Sequence, residues 1–136
     1  MLRIGFLPSD FNPMLLMLGE QADLHALGGV LRQFARDRQT VRLDELAFCA
    51  GCHVSVALTA EAGPVGLHPA RDAPERFVWR LDATRAAAFA VAVDGLAVPA
   101  RKAGSEMLEC GTEETEEIPV KVSRGEYTDD FLLPLG

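Results

Sequence analysis

A chain of 136 residues with 49% hydrophobic side chains can close an apolar core without metal or disulfide support, so one globular domain over 1–136 is expected. The 20 acidic against 13 basic side chains leave a net charge of −7, a field that disfavours nucleic acid and anionic membranes as partners. No stretch approaches the roughly 20 uninterrupted apolar residues of a membrane span, so no membrane partner is expected either.

In chain order, Leu2 to Leu7 is a short apolar run closed by Pro8, which cannot donate a ladder hydrogen bond, and it predicts a strand. Met14 to Leu18 is too short for a stable helix before Gly19 and is assigned to a second strand paired with the first. From Ala22 to Asp37 the apolar positions Leu24, Leu27, Leu31 and Phe34 recur at three and four, predicting a helix that Asp23 can cap. The pair Gly28-Gly29 costs about 1 kcal/mol per glycine in a helix, which implies close approach of that helix to a neighbour, most simply a sheet.

Between Thr40 and Leu81 the period changes to two. Val41 and Leu43, then Val54, Val56 and Leu58, then Phe77, Trp79 and Leu81 alternate with polar residues, as half-buried antiparallel strands do; a short strand at Val65 to Leu67 fits between them. Asp82 caps a second predicted helix to Leu96 with Ala86, Phe89, Ala90, Val93 and Leu96 on one face. Two last strands are expected near Glu106 to Cys110 and Ile118 to Ser123, the latter marked as a sheet edge by Pro119. No internal repeat is visible. Two helices separated by runs of strands predict an α+β fold: a mainly antiparallel sheet with both helices packed on one face.

The string Cys49-Ala50-Gly51-Cys52-His53 matches the haem attachment pattern of c-type cytochromes. That chemistry needs the thiols on a helix and a second axial ligand, whereas Val54 to Thr59 alternates like a strand. Cys49 and Cys52 have the spacing of one half of a tetrahedral zinc site that His53, His68 or Cys110 could complete, but no second Cys or His pair appears. Dithiol redox chemistry needs one thiol of lowered pKa, commonly at a helix start. The plainest assignment makes the cysteines small hydrophobes around a turn between strands, and no cofactor is expected. Three thiols and an N-terminus unlike a signal peptide predict a bacterial-type cytoplasm.

The charge is unevenly placed. Residues 1–104 hold 11 acidic and 11 basic side chains, while 105–136 hold 9 acidic and 2 basic, so the entire net charge belongs to this acidic C-terminal segment. Within it Glu113, Glu114, Glu116 and Glu117 precede the last strand, and Glu126, Tyr127, Asp129 and Asp130 group acids with the only tyrosine. Aromatics are enriched at interface cores, and acids around them steer a basic protein. Thr128 could also cap a terminal turn that docks Phe131, Leu132 and Leu133 on the core. No catalytic residues emerge, because no nucleophile, base and orienting group are linked by motif. The expected function is noncatalytic protein binding or assembly through that acidic face, with a basic protein or a second copy of the chain as partner. A small-metabolite enzyme or binding domain with a pocket near Trp79, His53 and Cys52 is the alternative, and a metal or redox role for Cys49, Cys52 and His53 ranks below both.

Overall fold

The computed structural model describes residues 1–8, 13–73, 75–101, 103–111 and 117–125. Among them are two helices and eight strands, an α+β fold: β1 (Arg3–Leu7), β2 (Met14–Leu18), α1 (Gln21–Asp37), β3 (Val41–Arg42), β4 (Ser55–Thr59), β5 (Gly66–Pro69), β6 (Arg76–Arg80), α2 (Ala83–Leu96), β7 (Gly104–Leu108) and β8 (Val120–Arg124).

The strands form two four-stranded sheets instead of one, in the orders β1-β2-β8-β7 and β3-β4-β6-β5. Outer pairs are antiparallel, but the central pairs β2/β8 and β4/β6 run parallel. Local hairpins supply the antiparallel pairs, and the parallel pairs join distant segments, which alternation within a strand cannot reveal. The strand after Pro119 is therefore central, not an edge. Pro119 precedes β8, where its missing N–H costs no ladder bond, and its carbonyl accepts from Leu15 N–H at 3.0 Å. A dimer built by pairing that strand across a two-fold axis has no free edge to use.

Both sheets are copies of one design. The order β1-β2-α1-β3-β4 repeats as β5-β6-α2-β7-β8, and each sheet takes a first hairpin from one half and a second hairpin from the other. The correspondence extends to single residues. The buried positions Leu24, Leu27, Gly28, Leu31 and Phe34 of α1 match Ala86, Phe89, Ala90, Val93 and Leu96 of α2 at one constant spacing. Buried Thr59 in β4 and Ser123 in β8 face equivalent strand positions, Arg80 and Leu18, across their parallel pairings. The repeat escapes sequence inspection because a half is specified by which positions are apolar, not by which apolar residue fills them.

The helices pack on each other, and buried residues of both helices and both sheets share one core that includes Ile4, Met17, Val56, Trp79 and Val122. Trp79 stacks on Phe89 at 5.9 Å between ring centroids. The close approach paid for by Gly28 is to α2, not to a sheet: a Cβ there would lie 2.3 Å from Asp94 Oδ1. Arg32 pairs with Asp94. These two occupy equivalent positions in the halves, so their ion pair spans the pseudo-two-fold axis, where identical halves would place like charges together.

Glu20, not Asp23, is the N-cap of α1; Asp23 sits at the third helical position and accepts from the Glu20 N–H at 2.8 Å. Asp82 caps α2 as expected, accepting from Arg85 N–H at 2.7 Å. Arg124 of β8 donates to the carbonyls of Leu96 and Val98 at the other end of α2, where a cation also complements the helix dipole. No helix among the described residues is long and apolar enough to cross a membrane.

Candidate functional site

The two chemically marked stretches occupy the same loop of the two halves. Residues 46–54 follow β3 and its 3-10 turn Leu43–Glu45 and lead into β4, while residues 109–119 join β7 to β8. Each bonds to the outer strand of the first hairpin of its own half: Cys49 bridges Leu2, and Ile118 bridges Leu67. Divergence in one equivalent loop on a repeated frame is where distinct functions are placed with least cost to the core.

In the first loop the thiols do not sit on a tight hairpin. The segment runs beside β1, with Leu2 N–H donating to Phe48 O at 2.7 Å, Ala50 N–H to Leu2 O at 3.0 Å and His53 N–H to Ile4 O at 3.0 Å. These bonds occupy the outer edge of β1 and pin the loop at three points. Gly51, with φ +65°, turns the chain between the cysteines, a conformation that costs glycine little. The Cys52 thiol donates to Leu2 O at 4.0 Å, and the side chains of Cys49 and Cys52 are both half-buried and free of disulfide. The neighbouring Cys49 thiol, helped by the Ile4 backbone, brings the Cys52 thiol down to about 7 against the opposing effects of burial and Asp44. The same pairing of thiols, with burial, drives Cys49 far upward.

Cys52 and His53 open onto a cleft of 470 Å³ shared with Asp44, Ser55, Glu75 and Arg76. Asp44 is held in place by Val56 N–H at 3.1 Å and the Ser55 hydroxyl at 3.2 Å. Asp44, Glu75 and Arg76 carry no local pattern that marks them, because they reach the cleft from the 3-10 turn and from the entry to β6. Trp79 does not line it, being fully buried against Phe89. His68 and Cys110 are elsewhere: a His68 ring nitrogen lies 3.1 Å from Val65 O, and Cys110 is beside Glu117, its thiol pushed up to about 11 by burial and that carboxylate. Among the described residues no three His, Cys, Asp or Glu side chains converge to hold a metal ion.

Glu113, Glu114 and Glu116 of the second loop lie outside the described residues, as do Glu126, Tyr127, Asp129 and Asp130 after β8, with Thr128 and the apolar tail. Glu117 is described, and it is a clasp. Its carboxylate accepts from Cys110 N–H at 3.0 Å and Gly111 N–H at 2.6 Å, while Ile118 N–H donates to Leu67 O at 2.8 Å. Gly66, with φ +104°, leaves the space this carboxylate uses, since a Cβ there would meet Glu117 Oε2 at 2.3 Å. The neck of the loop is thus closed by charge-assisted bonds, and Glu113, Glu114 and Glu116 lie in sequence between the closed ends.

Comparison of the chain with protein-family models, curated proteins and solved structures finds no match in any of the three.

Proposed function

We propose that the protein is a noncatalytic protein-binding module that addresses a basic protein surface through its acidic segment, residues 105–136. The observation that carries this reading is the Glu117 clasp. It fixes the base of a loop whose intervening sequence concentrates Glu113, Glu114 and Glu116, so the carboxylates are carried on an anchored neck. Anchoring lowers the entropy that a partner's docking would otherwise have to remove. Arg124 is engaged with the end of α2, and 9 carboxylates against 2 cations give the segment its excess negative charge. In this reading the protein works in the cytoplasm, where thiols such as Cys49, Cys52 and Cys110 stay reduced.

The test is capture on the immobilised protein, compared with a variant carrying Glu113→Gln, Glu114→Gln and Glu116→Gln. A basic protein retained by the parent at low salt should be released near physiological salt and lost by the variant, because screening shortens the Debye length to about 8 Å at 0.15 M. Retention that is indifferent to both salt and the three substitutions rejects electrostatic recognition by this segment.

A further inference from the structure

We infer that Cys49 and Cys52 form a thiol–disulfide exchange site that takes a low-molecular-weight disulfide, with Cys52 attacking from the cleft and Cys49 resolving from behind it. This goes beyond the acidic loop and uses the equivalent loop of the other half. Three geometric observations support it. Both cysteines are held against the same residue: Cys49 bridges Leu2 through the backbone, and the Cys52 thiol donates to Leu2 O at 4.0 Å. The loop that holds them is pinned to β1 by Phe48, Ala50 and His53 on either side, and Gly51 supplies the turn between them. Only Cys52 of the pair borders the 470 Å³ cleft, a volume within the range of small-molecule sites.

The chemistry divides accordingly. The Cys52 thiolate, favoured by the neighbouring Cys49 thiol, attacks one sulfur of R–S–S–R; the S–S bond breaks and the first RS⁻ leaves, taking a proton from solvent. Cys49 then loses its proton, and its sulfur attacks the Cys52 sulfur of the mixed disulfide. The second RS⁻ departs and is protonated. Two protein thiols are oxidised to one disulfide, and one R–S–S–R is reduced to two RSH, so atoms and electrons balance. Once the mixed disulfide has formed, Cys52 no longer holds negative charge beside Cys49, which removes one cause of the high Cys49 pKa.

Other charged groups near the site are Asp44 and Asp23, which disfavour thiolates, together with His53, Glu75 and Arg76 along the cleft. Asp44 opposes ionisation of both cysteines, so Asp44→Asn should lower the pH at which Cys52 becomes reactive. The decisive experiment incubates the full reduced chain with oxidised glutathione, quenches with an alkylating agent and locates modified cysteines by mass spectrometry. The expected product has Cys49 joined to Cys52 and Cys110 alkylated. Cys49→Ser should instead accumulate glutathione on Cys52. In the unmutated chain, limited alkylation at pH 7 should label Cys52 at least tenfold faster than Cys110, a measurement independent of whether a variant folds. Equal labelling of Cys52 and Cys110, or glutathione stalled on a single cysteine of the unmutated chain without a Cys49–Cys52 bond, overturns the assignment.

Discussion

Replacing Gly28 by alanine sets two effects of known size against each other at the contact between the helices. Alanine is favoured over glycine in a helix interior by about 1 kcal/mol. The new methyl would lie 2.3 Å from Asp94 Oδ1 and 3.2 Å from its Cγ, so the carboxylate must swing away or the helices must part. Overpacking of this kind costs about 1–3 kcal/mol. The Arg32–Asp94 pair, whose side chains are 39% and 38% exposed, adds at most about 1 kcal/mol when lost. Gly28→Ala should therefore leave stability unchanged or lower it by up to about 3 kcal/mol. Gly29→Ala is the control, because a Cβ there meets only Arg32 Nη2 at 3.8 Å, and it should stabilise by up to about 1 kcal/mol. Urea unfolding of Gly28→Ala, Asp94→Ala and the double variant measures the coupling directly. With Asp94 truncated, Gly28→Ala should recover the gain seen at Gly29, giving a coupling of about 1–4 kcal/mol. If Gly28→Ala stabilises equally with and without Asp94, the close approach of α1 to α2 is not what the glycine provides.

Three further outcomes follow from the same geometry. Asp82→Ala removes the α2 cap and should cost about 1 kcal/mol, read from the urea midpoint. Its Arg85 backbone bond holds the Asp82 carboxyl below the ordinary 3.8, so this contribution is complete above that value and is lost as pH falls through the folded one. The variant should consequently show a shallower acid limb between about pH 5 and pH 2 than the parent, and parallel limbs would contradict the assignment. Glu117→Ala frees two backbone donors, so hydrogen exchange at Cys110 and Gly111 should accelerate while β2 and β8 stay protected; unchanged exchange at both amides would remove the clasp. Trp79→Ala should cost about 3–5 kcal/mol, because the only tryptophan is fully buried, and a loss under 1 kcal/mol would be inconsistent with its packing on Phe89.

Both helices, with their faces and the Asp82 cap, are legible in the sequence because a helix closes its own hydrogen bonds and shows its buried face at three- and four-residue spacing. The local hairpins are legible for a similar reason, since period two marks each strand and short connections bring neighbours together. The charge asymmetry and the Cys49, Cys52, His53 string are likewise written in the order of residues. What tertiary structure alone decided is where segments distant in sequence meet. It placed the strand after Pro119 at the centre of a sheet, divided the strands between two sheets through parallel pairs, and turned Gly28 toward Asp94. It also put Asp44 and Arg76 beside Cys52, and Glu117 over Gly66. Parallel pairing and helix contact depend on complementary surfaces from both halves, and neither half carries a local pattern that names its partner. The repeat itself is stored in which positions are buried, a property that many different side chains satisfy.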